Sequence, residues 1–229
     1  MKEKANIASL FDHIADTYDR LNHLLSLNID RYWRRKSVRQ LSACESLLDV
    51  AVGTADLSIE IARQQKAAKI VGVDISEEMM QIGRRKIEQK KLSHRITLLA
   101  GNALQLPFED NTFDAVACAY GVRNFSNLEQ GLGEMWRVLK PGGQLLVLEF
   151  SYPKNPLVRR LYDTYFTRIL PKIGKWVSKD KTAYTYLCQS VKNFIWGEEM
   201  TRKLAETGFQ TPEYRPLTFG ITTIYTARK

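Results

Sequence analysis

The sequence predicts a doubly wound α/β fold with a mostly parallel sheet. Apolar segments of strand length alternate with helix-like segments over the first 150 of the 229 residues, and this alternation is typical of a parallel sheet covered by helices. The first apolar segment enters a tight turn at Gly53, and the second ends at Asp74, about 20 residues later. Because ligands bind beyond the carboxyl ends of the strands in such sheets, the turn and the acid together indicate a binding site.

The first two strands and the helix that follows them are marked by clear signals. We predict an apolar strand that enters a turn within residues 47–57 and a second strand within residues 70–75. Ser76 precedes Glu77 and Glu78, which is the pattern of an N-cap followed by acids in the first turn, where the helix dipole favours negative charge. A helix is therefore expected to begin directly after the second strand.

Three more strands and one helix complete the predicted core. A third strand is expected to run into a polar turn within residues 96–103, and a fourth is expected within residues 113–121. The helix near 128–139 meets Lys-Pro-Gly-Gly at 140–143, which is a strong stop signal. A fifth strand is then predicted at 144–150.

The glycines of the first turn decide between classes of cofactor. A dinucleotide site needs the pattern G-x-G-x-x-G, whereas Gly53 stands alone among Ala51, Val52 and Ala55, which argues against NAD and FAD. No phosphate-binding G-x-x-x-x-G-K-[ST] loop occurs in the chain. S-adenosyl-L-methionine fits, because its sulfonium and methionine tail need only one close backbone turn while its adenosine needs a carboxylate and an apolar slot. The alternative is an ordinary buried strand and turn in which Asp74 only caps the next helix.

Motifs spread over nearly the whole chain resemble those of one enzyme family. Gly-Val-Arg-Asn at 121–124 and Leu-Glu-Phe-Ser at 148–151 are the most particular of them, while Leu-Pro-Phe at 106–108 and Lys-Pro-Gly-Gly at 140–143 are shared by many methyltransferases. With the segment 11–22, they occur in the order seen in class I methyltransferases of menaquinone and ubiquinone biosynthesis. The resemblance implies S-adenosyl-L-methionine-dependent C-methylation of a lipid-soluble prenylated quinol. We expect demethylmenaquinol as substrate, with the benzoquinol precursor of ubiquinone as the alternative.

The resemblance also implies how the chain is organised. It implies a single methyltransferase domain, 1–229, with the Rossmann-like class I fold and a seven-stranded sheet. We expect an N-terminal helical cap (1–44), a cofactor-binding core (45–151), a helical insertion after strand five that covers the substrate (152–196), and a C-terminal helix and strands that complete the sheet (197–229). The cap either acts as a lid over the cofactor or only packs on the core.

The family's cofactor contacts carry over onto matching positions of this chain. The resemblance places the ribose on Asp74 and the adenine near Asn102 and Ala103, and the lid is expected to bring Tyr18 near the transferred methyl group. The expected cofactor-binding residues are Gly53, Thr54, Asp74, Ile75, Asn102, Ala103 and Tyr18. No metal site is expected, because neither the histidines nor the cysteines have the spacing of metal ligands.

Three positions depart from the family's pattern. Members often have a serine where this chain has Ala119, and glycines where it has Val52 and Ala55. A non-glycine residue forced to positive φ at either turn position would cost about 1–2 kcal/mol. We therefore expect the turn to run at negative φ there, or the affinity for the cofactor to fall.

Arg123 and Asn124 are the predicted catalytic residues, because they follow the fourth strand at the active edge of the sheet. A ring carbon becomes nucleophilic when the neighbouring hydroxyl loses its proton, so a cation near the oxyanion stabilises the reacting state. Arg123 is expected to hold this charge directly or through water, and Asn124 to orient the ring or that water. The alternative is an arginine salt bridge beside an asparagine turn or cap. The general base is left open among Tyr120, His13 and an activated water.

The basic charge of the chain is concentrated at its C-terminal end. The net charge is +9, and residues 151–229 carry 14 basic and 6 acidic side chains. One face of the predicted helix in this region is apolar, through Leu157, Leu161, Tyr165 and Ile169. Basic amphipathic helices bind anionic membrane surfaces, so we expect transient membrane contact, with a cover helix that packs on the domain as the alternative. Without a signal peptide or membrane span, a cytoplasmic protein is expected, peripheral on the inner face of the membrane.

Two other classes of function are less compatible with the sequence. A basic methyltransferase could act on RNA, but the chain has neither the Asn/Asp-Pro-Pro-aromatic loop after strand four nor a Pro-Cys nucleophile, so no nucleic-acid partner is expected. A non-catalytic binding subunit of the same fold is suggested only by the missing glycines at Val52 and Ala55. The sequence leaves open whether the protein forms a homodimer.

Overall fold

The computed structural model describes residues 26, 28–165 and 189–229, which contain one seven-stranded sheet. Its strands are β1 (Cys44–Val50), β2 (Ala67–Asp74), β3 (Ile96–Ala100), β4 (Phe113–Ala119), β5 (Leu139–Phe150), β6 (Gln210–Leu217) and β7 (Thr222–Arg228). The order across the sheet is β3-β2-β1-β4-β5-β7-β6. Strands β1 to β5 pair in parallel, whereas β7 is antiparallel to β5 and to β6. The predicted fold, a mostly parallel seven-stranded sheet, is confirmed.

Helices cover both faces of this sheet. They are α1 (Ile29–Val38), α2 (Asp56–Arg63), α3 (Glu77–Gln89), α4 (Leu128–Val138), α5 (Pro156–Thr164) and α6 (Glu198–Thr207). Successive strand residues point to opposite faces, so Leu47 packs in a core cluster with apolar residues of α1, α2 and α3, and Leu48 in one with residues of α4 and α6. The chain order reverses between β1 and its two neighbours β2 and β4, which leaves a crevice at their carboxyl ends.

Several predicted element ends are confirmed, and others shift by a few residues. The Ser76 hydroxyl accepts a hydrogen bond from the Met79 amide at 3.2 Å, so Ser76 caps α3 as predicted. Strand β4 ends at Ala119 rather than 121, because Tyr120 turns to φ +58°. Strand β3 ends at Ala100, and residues 101–103 form the turn expected after it.

The fifth strand begins five residues earlier than predicted. Lys-Pro-Gly-Gly ends α4 at Val138, but the chain stays in the sheet because Leu139 pairs with Phe113 of β4. A register shift between Phe113 and Ala115 accommodates the extra residues, and the Gly142 amide donates to the Lys229 carbonyl oxygen at 2.7 Å. The stop signal was therefore correct for the helix and wrong for the start of the strand.

The proposed subdivision of the chain stays a prediction. Helix α1 lies in the expected N-terminal cap and α5 in the expected insertion, but Tyr18, His13 and Ile169 lie outside the described residues. Among the residues that are described, no helix combines the length and the apolar character of a membrane span.

Candidate cofactor and active site

A cavity of about 390 Å³ lies at the carboxyl ends of β1, β2, β3 and β4. This volume is typical of a small-molecule site. Its wall brings together six of the seven predicted cofactor contacts, Gly53, Thr54, Asp74, Ile75, Asn102 and Ala103. The seventh, Tyr18, lies outside the described residues.

The turn after β1 contains three residues at positive φ. Ala51, Gly53 and Ala55 have φ of 56°, 52° and 65°, whereas Val52 is not among the positive-φ residues. The first alternative, a turn at negative φ, is therefore wrong at Ala55, and a lower affinity for the cofactor stays a prediction. Helix α3 makes room for the Ala55 methyl group with a glycine, because a Cβ added at Gly83 would lie 3.3 Å from the Ala55 Cβ. Close packing against α3 thus stabilises a conformation that costs an alanine about 1–2 kcal/mol.

The Asp74 carboxylate joins this turn to the start of α3. One oxygen accepts the Gly53 amide at 2.7 Å and the other accepts the Ser76 amide at 3.0 Å. The second bond is the helix-capping contact of the alternative interpretation, while the first fixes the carboxylate against the turn. Asp74 also borders the cavity, so its contact with a ribose stays a prediction that the placement allows.

The adenine side of the predicted site is apolar. Ile75 is 48% exposed although it is a large aliphatic residue, and it borders the cavity with Met79, Ala103 and Leu104. The Asn102 side-chain oxygen accepts the Leu104 amide at 3.0 Å, which fixes the loop after β3. Together these residues form the apolar slot that the sequence analysis required.

Three charged residues of the cavity wall were missed from the sequence, namely Arg34, Asp49 and Asp56. Arg34 of α1 and Asp49 of β1 both border the cavity and are 8% and 1% exposed. The Ser58 hydroxyl donates to Asp49 Oδ2 at 2.6 Å, whereas Asp49 Oδ1 is buried and has no hydrogen-bond partner in the described part of the chain. Burial raises the pKa of Asp49 to about 7. The sequence signal that could have found Asp49 is a carboxylate inside an apolar stretch of a strand. For Arg34 the available signal was its i, i+4 spacing from Asp30.

Arg123 forms a buried ion pair and does not border the cavity. Its Nη1 atom lies 2.7 Å from Glu149 Oε1, and the two side chains are 4% and 0% exposed. The same nitrogen donates to the Tyr120 carbonyl oxygen at 2.5 Å. These contacts are those of the salt-bridge alternative, and direct contact with a substrate stays a prediction that no observed contact supports.

Asn124 and Tyr120 do border the cavity. Asn124 Nδ2 donates to the Tyr120 carbonyl oxygen at 3.4 Å, so Asn124 and Arg123 donate to the same acceptor. The Tyr120 ring packs 4.5 Å from the Phe150 ring, and burial raises the pKa of its phenol. Tyr120 therefore stays protonated at neutral pH and is a hydrogen-bond donor rather than a base.

Comparisons with known proteins agree in pointing to methyltransferases. The model of the ubiE/COQ5 methyltransferase family matches residues 1–229. The demethylmenaquinone methyltransferase of Bacteroides fragilis is 43% identical, with 100% of this chain and 94% of that protein covered. The ubiquinone/menaquinone biosynthesis C-methyltransferase UbiE of Geobacter sulfurreducens is 46% identical over 97% of this chain and 88% of that protein.

Solved structures resemble the chain in fold. A SAM-dependent methyltransferase from Thermotoga maritima has a TM-score of 0.67 at 20% identity, with 96% of this chain and 99% of that chain covered. A putative S-adenosyl-L-methionine-dependent methyltransferase from Methanococcus maripaludis has a TM-score of 0.67 at 20% identity, with 95% and 93% covered.

Proposed function

Since the chain belongs to the ubiE/COQ5 methyltransferase family, we propose that it transfers a methyl group from S-adenosyl-L-methionine to a ring carbon of demethylmenaquinol. The family, the enzyme class and the cofactor predicted from the sequence are confirmed. One observation supports this choice of substrate. Relatives at 42–46% identity over nearly the whole chain are named demethylmenaquinone methyltransferase or quinone-biosynthesis C-methyltransferase. The benzoquinol precursor of ubiquinone is the second candidate, because one of these names includes ubiquinone.

The residues of the cavity fit this cofactor. The backbone at Gly53 is open to close approach, since a Cβ added there would have only Met79 Cε nearby, at 3.5 Å. Asp74 offers a carboxylate for ribose hydroxyls, and the exposed Ile75 offers an apolar surface for adenine. The unpartnered Asp49 Oδ1 offers a buried acceptor for the amino-acid half. When bound, the cofactor supplies an electrophilic methyl group on a sulfonium.

The protein's own contribution is alignment and activation of the quinol. Holding the ring carbon in line with the methyl group converts a bimolecular encounter into an intramolecular step. Asn124 lies on the wall where it can orient the ring or a water, and the protonated Tyr120 can donate a hydrogen bond to a developing phenolate. Of the three candidate bases, Tyr120 is disfavoured because it holds its proton, so His13 and an activated water stay the two candidates.

A product assay tests this function. Purified protein is incubated with methyl-labelled S-adenosyl-L-methionine and either demethylmenaquinol or the benzoquinol, each kept reduced, and the products are identified by mass. We expect one added methyl group on the naphthoquinol ring. Methylation of the benzoquinol alone would show that the benzoquinol, and not demethylmenaquinol, is the substrate. Cofactor binding without transfer to either quinol would favour the non-catalytic alternative.

We also propose that α5 makes the peripheral membrane contact. Leu157 and Leu161, one helical turn apart, are 69% and 66% exposed. Arg159 and Arg160 are exposed on the same helix. Exposed apolar residues beside basic ones suit the boundary between acyl chains and anionic headgroups. This arrangement supports the membrane interpretation of α5 over the cover-helix alternative.

Vesicle sedimentation tests the membrane contact. We expect the protein to pellet with vesicles that contain phosphatidylglycerol and to remain in solution with pure phosphatidylcholine. The double variant Leu157→Ser/Leu161→Ser should lose this binding. The control Leu99→Ser removes a leucine that is 40% exposed on β3 and should keep it. Equal binding by all three proteins would contradict the proposal.

A further inference from the structure

Part of the cavity wall carries buried charge. Arg34 borders the cavity there with Asp49, Thr54 and Asp56. The Arg34 side chain is only 10% exposed. A guanidinium buried to this degree costs free energy unless carboxylates compensate its charge. The contacts of Arg34 therefore bear on its function.

Two carboxylates of the protein hold the Arg34 guanidinium in place. Nη1 lies 2.5 Å from Asp30 Oδ2, one turn earlier in α1, and Nη2 lies 3.5 Å from Asp56 Oδ2 at the start of α2. The guanidinium carbon is 5.7 Å from the centre of the Tyr120 ring. Contacts with α1, α2 and Tyr120 thus position the guanidinium group of Arg34 from three sides.

The same contacts connect Arg34 to the turn that binds the cofactor. Asp56 is also paired with Lys86 of α3, and Lys86 Nζ donates to the Thr54 hydroxyl at 3.2 Å. Arg34, Asp56, Lys86 and Thr54 therefore form one continuous network that joins three helices to the turn. A cation fixed in this way is preorganised for a ligand and loses little entropy when it binds one.

Asp49 supplies the second, independent observation. Asp49 lines the cavity, and its Oδ1 atom is buried and has no hydrogen-bond partner among the described residues. A buried acceptor without a donor is costly in a native structure, and a ligand donor is one way to satisfy it. A fixed guanidinium and an unsatisfied carboxylate oxygen in the wall of one cavity are complementary to a ligand that carries both a carboxylate and an ammonium, which is the chemistry of an amino acid.

We propose that Arg34 binds the carboxylate of the methionine half of S-adenosyl-L-methionine, with Asp49 facing its ammonium group. This inference rests on the cofactor in the proposed function and adds a specificity-determining residue to it. Arg34 selects a cofactor that keeps its amino-acid carboxylate over one that has lost it. The competing explanation is that Arg34 serves only to pack α1 on the domain.

Calorimetry with two cofactors separates these explanations. S-adenosyl-L-methionine and decarboxylated S-adenosylmethionine differ only in the carboxylate, so the ratio of their dissociation constants reports its recognition. We expect the wild type to prefer the carboxylate-bearing form about tenfold or more, the size of a lost charge-assisted contact. In Arg34→Gln this ratio should fall to within about threefold of unity. The matched control Arg35→Gln removes an exposed charge from the same helix and should keep the wild-type ratio.

The outcomes remain distinct if folding is affected. A ratio is insensitive to the fraction of folded protein, and thermal unfolding checks each variant. Equal weakening of both ligands in Arg34→Gln would show a purely structural role and overturn the proposal. If that variant fails to fold, Arg34→Lys keeps the charge without the planar fork and should lower the ratio at least threefold; an unchanged ratio overturns the proposal. A wild type that binds neither ligand would instead overturn the proposed function.

Discussion

The buried pair of Arg123 and Glu149 gives a quantitative test of what Arg123 does. The 2.7 Å contact joins side chains that are 4% and 0% exposed. Removing the cation with Arg123→Met leaves a buried carboxylate without its partner, which costs about 3–5 kcal/mol of unfolding free energy. The double variant Arg123→Met/Glu149→Gln removes both charges and should recover part of this loss. Urea unfolding followed by circular dichroism measures all three proteins.

A surface pair provides the control for this measurement. Arg84 and Glu77 also form an ion pair, but their side chains are 44% and 49% exposed. Arg84→Met should therefore change the unfolding free energy by less than about 1 kcal/mol. A similarly small change in Arg123→Met, together with lost turnover, would refute the structural explanation and restore the direct role with the phenolate.

Three further predictions concern the cavity. Asp74→Ala should weaken cofactor binding by about 1.5–3 kcal/mol in calorimetry, because charged hydrogen bonds are lost, and unchanged affinity would exclude ribose contact. Because the pKa of Asp49 is raised to about 7, the folded protein keeps a proton on this residue that the unfolded chain loses at a pH of about 4. The stability that this proton contributes is complete below a pH of about 4 and is lost as the pH rises through 7. The wild type should thus lose stability relative to Asp49→Asn between pH 5 and pH 8 in urea unfolding, and parallel curves would contradict this. Ala55→Gly should raise the unfolding free energy by about 1 kcal/mol, since Ala55 sits at φ 65°, and a decrease would show that packing against Gly83 outweighs the strain.

The predictable part of the site is the part that one βαβ unit determines. The apolar strand, the turn at Gly53 and the acid at Asp74 lie within one such unit, and the parallel pairing of Val50 with Val73 brings their ends together. The parallel pairing of β3 with β2 also brings the turn at Asn102 to this edge, but its role as a cofactor contact came from the resemblance to the family. Local spacing and the known geometry of parallel strands were sufficient to place Gly53 and Asp74 side by side.

Contacts between distant segments were outside the reach of such spacing. Arg34 comes to the cavity because α1 packs beside α2, and no periodic pattern specifies that neighbour. Glu149 is 26 residues away from Arg123 in sequence and becomes its partner because β5 lies next to β4 in the sheet. The positive φ at Ala55 was missed because the room for its methyl group depends on Gly83, which belongs to another helix.

The two buried arginines that contact Tyr120 differ in whether they border the cavity. Glu149 is fully buried 2.7 Å from Arg123, so a substrate oxyanion could use that guanidinium only by competing with this carboxylate. Arg34 is also paired with a buried carboxylate, Asp30 at 2.5 Å, and with Asp56 at 3.5 Å, but it borders the cavity, which Arg123 does not. Arg123 instead contacts the Tyr120 carbonyl oxygen, to which Asn124 also donates. Loss of Arg123 should therefore lower turnover by displacing Tyr120 and Asn124, whereas loss of Arg34 should lower affinity for the cofactor.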